Sequence, residues 1–398
     1  MLALSQIFGK ETVVGLDIGS RMIKVALAEA AGGRWRILKA ASGPTPLDSI
    51  RDGIIVDGPA VSKAIRDLMH QHGIEANGAV AAISGASVIV RHVKMPRMSE
   101  ALLRKGVRYE ASKYISSATE DSMIEFEITG DVPGEADKMG VMLVAVPNEM
   151  VESRLGALSG AGLEPVGIDI ETFAMQRALI DLDETNSVAS ATVAMLDIGA
   201  TSTDVCIVTE GKFALTRSIA IAGDSFTNAI KTISRTIDWT ELEEIKRRVD
   251  MVALLTPDTL PEAMALAQAV QPSIDELLRE VRRSINYYQS QLSDPTTSNL
   301  PAGVTSETGG GGVTRIIISG GGAKMRGLAQ YMTARLGLPT EIRSAFQNPS
   351  IDSDALSEEI TEEGGPLFST CIGLALKELS EAASKAALKA PAAKAKAA

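Results

Sequence analysis

The chain has 398 residues, 45% hydrophobic and 22% charged, a balance that suits a soluble globular protein of two or three domains at about 150 residues each. A formal net charge of -11 excludes a nucleic-acid binder held by bulk electrostatics, but not a nucleotide held by backbone N–H groups and one or two lysines. Cys206 and Cys371 lie far apart in apolar runs and the chain has 3 histidines, which excludes a redox pair and a His-built metal site. No run approaches about 18 uninterrupted apolar residues, so no membrane-spanning helix is expected.

Met1–Lys10 is too short for a signal peptide, lacks its basic region, and reads as a frayed terminus. Val13–Ala28 reads as a strand, a tight turn and a returning strand, and Val193–Val208 repeats the pattern. Both turns contain Leu-Asp-Ile-Gly, at Leu16–Gly19 and Leu196–Gly199. Third strands follow at Trp35–Ala40 and Lys212–Ile221, which predicts a duplicated α/β domain. Pro59–His70 has helical spacing, and Val80–Ile83 is a buried strand. The block from Ala86 to Gly167 reads as a small α/β insert. It has strands at Val88–Met95, Ser122–Ile128 and Val141–Val146, a helix capped by Ser99, and a second helix ending at Gly162. Thr240–Glu243 and Ser273–Glu276 have the form of capping boxes, the second opening a long helix. Asp294–Gly312 reads as a mobile loop, Arg315–Ser319 as a buried strand, and Gly365–Leu379 as a last helix before an Ala-, Lys- and Pro-rich tail.

Three glycine-bearing turns carry the candidate chemistry. In the first, Gly19 lets backbone approach a phosphate, Ser20 supplies a hydroxyl, Lys24 a positive charge, and Asp17 can orient a water-bound metal. In the second, Gly199, Ala200, Thr201 and Thr203 offer N–H and hydroxyl donors, and Asp197 is a candidate Mg²⁺ partner. The third, Gly320-Gly321-Gly322 with Lys324, leaves a strand and enters a helix, where a nucleotide can lie against backbone.

Taken in order, these turns resemble the two phosphate loops and the adenosine loop of the actin-like ATPase superfamily. Ile168–Ala174 and Phe368–Ala375 resemble its two connecting segments, and together the motifs span nearly the whole chain. The position of the insert resembles the FtsA/PilM branch of that superfamily, and Glu110–Ile115, Val144–Glu149 and Ala161–Val166 resemble its PilM family of type IV pilus assembly. Ser116 stands where relatives often carry proline.

The resemblance implies an α/β fold of two RNase H-like lobes around a nucleotide cleft. The first lobe would comprise 1–85, completed by 167–190 and 365–381, with the insert at 86–166. The second would comprise 191–223, completed by 313–364, with an outer helical part at 224–312 and a disordered tail at 382–398. It implies ATP and Mg²⁺ as cofactors, with the metal held by Asp17 and Asp197 through water. Glu171 would position an attacking water for slow hydrolysis beside Asp197, and Glu243 and Lys246 would contact the nucleoside. The implied role is a cytoplasmic adaptor at the inner membrane. It would bind the N-terminal peptide of a PilN-like membrane protein between the insert and the first lobe, with contacts extending to the pilus motor ATPases. The membrane is reached only through partners, and oligomeric state is left open. Two other classes stay in view. An FtsA-like polymer would want an amphipathic tail, whereas Ala386–Ala398 has Leu388 as its only large apolar residue. A sugar kinase would need a catalytic aspartate in a substrate cleft, and none is evident.

Overall fold

A computed structural model describes residues 12–31, 34–115, 121–181, 191–256, 260–293, 300–301, 304 and 311–389. The expectations for Met1–Lys10, for most of the 294–312 loop and for the end of the tail lie outside these residues.

The first meander is β1 (Thr12–Ile18), β2 (Met22–Ala31) and β3 (Arg34–Pro44), all antiparallel neighbours. A small hairpin, β4 (Ile50–Arg51) and β5 (Ile54–Ile55), leads into α1 (Gly58–Gln71). Asp57 caps α1 by accepting from the Ala60 N–H at 3.0 Å, and Pro59 occupies the first turn. β6 (Gly78–Ile83) then runs parallel to β1. The insert contributes β7 (Ile89–Pro96), α2 (Glu100–Ser112), β8 (Ser122–Asp131) and β9 (Lys138–Pro147). Ser99 caps α2 as its position suggests. The chain returns through α3 (Asn148–Gly160), β10 (Glu164–Ile170) and the short α4 (Glu171–Gln176), which continues as a π-helical turn over Arg177–Asp181.

The second meander is β11 (Thr192–Ile198), β12 (Thr203–Thr209) and β13 (Lys212–Ile219). Three helices follow: α5 (Gly223–Lys231), α6 (Trp239–Arg247) and α7 (Pro261–Ser293). After them come β14 (Arg315–Ser319), α8 (Leu328–Leu336), β15 (Thr340–Ile342), β16 (Ile351–Asp352) and α9 (Ser369–Lys389).

The strand order is β10-β6-β1-β2-β3-β16 in one large sheet and β13-β12-β11-β14-β15 in the other. In each, an antiparallel meander is extended on the side of its first strand by a parallel one, β6 or β14. The duplication expected from the two Leu-Asp-Ile-Gly turns is therefore a duplication of sheets. α1 and α3 cover one face of the first sheet, with Leu16, Val25, Ile65 and Leu158 in that core. α4 and α9 cover the other, through Ala26, Val80, Ala174 and Leu376. α5, α6, α7 and α8 enclose Leu196, Val205 and Ile318 on the second sheet, with Leu277 of α7 in the same core.

Several expectations are corrected. The cap of α6 is Asp238, which accepts from the Glu241 N–H at 3.0 Å, so Thr240 opens no capping box. α7 runs unbroken through Pro272 and Ser273. The buried stripe Leu266, Val270, Ile274, Leu277 continues across the proline, and its burial outweighs the lost backbone bond. β16 pairs with β3, and Ala345 and Ile351 join the first-lobe core, so the chain after about residue 345 leaves the second lobe. α3 belongs to the first-lobe core through Ala157 and Leu158, which leaves the insert proper as the three-stranded sheet β7-β9-β8 with α2. α9 runs on to Lys389, into the stretch expected to be disordered. Leu300 and Val304, within the expected loop, are buried in the second-lobe core.

Candidate nucleotide cleft

The first and second turns close in the same way. The Gly19 N–H donates to the Met22 carbonyl at 3.1 Å, and the Gly199 N–H donates to that of Ser202 at 3.0 Å. The two turns face each other across the lobes, and the Ser20 and Thr201 hydroxyls lie 3.0 Å apart. The N-terminus of α5 abuts the second turn. The Gly223 N–H donates to the Gly199 carbonyl and the Asp224 N–H to the Ala200 carbonyl, at 3.1 and 2.8 Å. That helix end puts positive partial charge beside the turn. Lys246 lies against it, with Nζ 2.7 Å from Glu243 Oε1, 2.9 Å from Thr227 Oγ1 and 3.3 Å from the Gly223 carbonyl. Glu243 and Lys246 thus reach the cleft from the second lobe as a pair.

The third turn closes on the second. Gly320 has φ +85°, and a Cβ there would lie 2.1 Å from Asp197 Oδ1. A Cβ on Gly322 would lie 2.3 Å from the Ile198 side chain. Both positions require glycine for this close approach. Gly321 has only an ordinary contact with Leu367, and Lys324 stands exposed at the end of a short 3-10 turn.

Asp17 and Asp197, at the ends of β1 and β11, are both buried. Lys24 Nζ lies 2.8 Å from Asp17 Oδ2. Burial works against the ammonium charge, but Asp17, Asp197 and Glu171 outweigh it and raise the Lys24 pKa. Glu171 is the first residue of α4, and the nearby Ser84 hydroxyl favours its ionised form. Burial, then Asp197 and Asp17, push its carboxyl above the usual range, and burial likewise raises Asp197. Thr370 Oγ1 donates to Asp197 Oδ2 at 3.3 Å.

One expected donor is turned away. Thr203 is fully buried and its hydroxyl donates to the Ile221 carbonyl at 2.7 Å, so it ties β12 to the chain ahead of α5 and does not face the cleft. Three residues were not foreseen. Asp204 is buried directly across from Asp197, and burial followed by Glu171 pushes its carboxyl up to about 7. A carboxylate directly before the apolar run Val205–Val208, within the same strand, was the available signal. Arg21 bridges the lobes, with Nη2 2.9 Å from Asp224 Oδ2 and its guanidinium 4.6 Å from the Trp239 ring centroid. Arg154 lies buried beneath the first lobe's strand ends, with no sequence signal beyond a charge on an otherwise apolar helix face. A cavity of about 200 Å³ between the lobes is lined by Ser84, Thr172, Asp204, Arg217 and Ser218.

The cluster joins four buried or half-buried carboxyls, Asp17, Asp197, Glu171 and Asp204, to one ammonium, Lys24. It calls for a further cation. Among the described residues no three His, Cys, Asp or Glu side chains are arranged to hold one by themselves. A hard divalent ion bound through one or two carboxylates, water and phosphate oxygens suits this donor set.

Duplicated sheets with paired Asp-Ile-Gly turns facing across a cleft define an actin-like fold of the ATPase superfamily. The chain belongs to the family of type IV pilus assembly protein PilM, whose pattern matches residues 15–379. A chain of a solved PilM-PilN type IV pilus biogenesis complex is 28% identical with TM-score 0.75, covering 92% of this chain and 98% of that one. The cell division protein FtsA of Pseudomonas aeruginosa is 25% identical, over 93% of this chain and 89% of its own. MreB5 of Spiroplasma citri, solved bound to ADP, shares the fold at 14% identity and TM-score 0.51, covering 94% of this chain and 98% of its own. Among the described residues no helix is long and apolar enough to cross a membrane.

Proposed function

We propose that this protein is an ATP-binding adaptor of type IV pilus assembly, which holds a PilN-like membrane protein through that partner's N-terminal peptide. The observation that carries the reading is the pairing of a complete cleft, with Ser20 and Thr201 face to face, with an insert of the family's kind. ATP would lie with its phosphates between the two turns. Gly19, Ser20, Gly199, Ala200 and Thr201 would donate to them, and Lys24 would balance charge. Gly320 and Gly322 would let the adenosine approach the backbone, beside Glu243 and Lys246.

Mg²⁺ would be held by Asp17 and Asp197 through water and would neutralise phosphate charge. Glu171, beside Asp197 and Asp204, would orient a water toward the terminal phosphate. The raised carboxyl pKa values favour slow turnover, with the nucleotide serving as a conformational clamp. The protein would be cytoplasmic, and would reach the inner membrane through its partner.

The partner would bind between the insert and the first lobe. The test is a titration of the purified chain with a synthetic N-terminal peptide of the PilN-like protein, with and without ATP and Mg²⁺. One-to-one saturation is expected in at least one nucleotide state. Tight ATP binding with no peptide binding in either state would sink the adaptor reading and leave the FtsA-like polymer as the better one.

A further inference from the structure

α3 is the direct continuation of insert strand β9, with Asn148 following Pro147. It lies not on the insert but on the first lobe, where Ala157 and Leu158 join the α1 core. Ser153 Oγ accepts from the Ile55 N–H at 3.3 Å, which fixes α3 to the β4–β5 hairpin as well. A shift of the insert sheet therefore reaches the first lobe through this helix as well as through the short link from β6 to β7.

Arg154 faces inward from α3 and is 4% exposed. Its Nε donates to the Ala82 carbonyl at 3.3 Å, while Nη1 has no hydrogen-bond partner. Leaving a guanidinium nitrogen unpaired in the core is costly, and a leucine or methionine would fill the same space without that cost. The charge is held instead by the field of the cleft: burial opposes it, while Asp17 and Glu171 favour it. Ala82 sits opposite Asp169 at the end of β6, one residue before Ile83, which lies opposite Ile170. The next residue, Ser84, lies beside Glu171, and its hydroxyl favours the ionised form of that carboxyl. One side chain from the insert's return helix thus grips the strand end that lies beside the candidate water-orienting carboxylate.

We propose that Arg154 is a positioning residue that couples occupancy of the partner groove to the nucleotide cleft, acting through the end of β6, Ser84 and Glu171. The proposal rests on the reading that the insert side takes a peptide and the cleft takes a nucleotide. A peptide that moves α3 changes how Arg154 holds β6. The unpaired Nη1 is the group free to take a new partner in the other state.

The test uses the full chain, the synthetic PilN-like peptide, and a non-hydrolysable ATP analogue with Mg²⁺. Peptide affinity is measured with and without the analogue, and the ratio is the coupling. The wild-type chain should show about fivefold coupling or more. Arg154→Met should bring the ratio to within about twofold of one while each ligand alone binds within about threefold of wild type. A purely structural role would weaken both ligands and leave the ratio intact. Arg154→Lys, which keeps the charge, should retain most of the coupling, and Ser84→Ala should lose much of it.

Unchanged coupling in Arg154→Met overturns the proposal, as does a wild-type ratio of one. If Arg154→Met does not fold, unchanged coupling in Ser84→Ala overturns it. Absence of peptide binding to the wild-type chain removes the adaptor reading and this proposal together, a result distinct from both ligands binding without coupling.

Discussion

At the register position where β1 carries Asp17 opposite Lys24, β11 carries Asp197 opposite Asp204. The first lobe thus balances its buried charge with an ion pair, and the second sets two acids side by side. Like charges directly across strands repel, and burial amplifies the repulsion. Asp197 feels its neighbour in this way, and Asp204, through burial and then Glu171, has its pKa raised from 3.8 to about 7, although the Ser218 and Ser202 hydroxyls favour its ionised form. Below the lower value the group is neutral in folded and unfolded chains alike. Between the two values only the folded chain keeps the proton, so stability falls as the pH rises through this window. The loss by pH 8 is on the order of a few kcal/mol. Asp204→Asn removes this titration and keeps an acceptor for the two serines. The melting temperature of the nucleotide-free wild type should fall from pH 5 to pH 8. The fall in the variant should be smaller by roughly 3 °C or more. Equal pH slopes would show that Asp204 is ionised in the folded chain.

The connecting helices α4 and α9 cross almost backbone to backbone. A Cβ on Gly373 would lie 1.8 Å from the Ala174 carbonyl oxygen, and one on Gly15 would lie 1.8 Å from that of Cys371. Arg177, in the π-helical turn after α4, reinforces the crossing by donating to the Gly373 carbonyl at 2.8 Å and pairing with Asp169 at 3.1 Å. Gly373→Ala must push the helices apart, and should lower stability by about 1–3 kcal/mol as an overpacked core does. The denaturant midpoint checks this, and an unchanged midpoint would show that the crossing can spread freely.

Much at this scale was legible in the sequence. The two Leu-Asp-Ile-Gly turns gave away both meanders, and alternation in Val88–Met95 and Val141–Val146 located the insert sheet. What escaped depends on distant partners. A two-residue strand such as β16 has no period of its own and exists only because β3 offers an edge. α3 reads the same whether it covers the insert or the first lobe. Pro272 looks like a helix start until Leu266 and Val270 are seen to be buried on the same stripe as Ile274. Within the cleft the glycines and Asp17, Asp197 and Glu171 could be read from motif order. The inward turn of Thr203 and the burial of Asp204 and Arg154 could not, because they follow from which face of a strand or helix meets a neighbour.

Across the whole molecule, side chains of the two lobes meet over the cleft. Arg21 Nε and Nη2 both reach Asp224 Oδ2, at 3.1 and 2.9 Å, and the same guanidinium stacks on Trp239. The Ser20–Thr201 contact lies next to it. Arg21 is partly exposed, so the ion pair alone is worth about 1 kcal/mol or less; the forked geometry and the aromatic face add to it. A tie of that size cannot lock the cleft, but it can set how often the cleft opens. Asp224→Ala should therefore speed both association and dissociation of an ATP analogue by about three- to tenfold, with a smaller change in affinity, since 1.4 kcal/mol corresponds to tenfold. Trp239 fluorescence in stopped flow reads both rates directly, with Trp35→Phe removing the other indole. Arg21→Lys keeps the charge but loses the fork and the stacking, so its rates should fall between wild type and Asp224→Ala. Wild-type rates in Asp224→Ala would mean that the lobes are held by the α4–α9 crossing alone. Opening would then be a property of the helices behind the cleft and not of the side chains at its mouth.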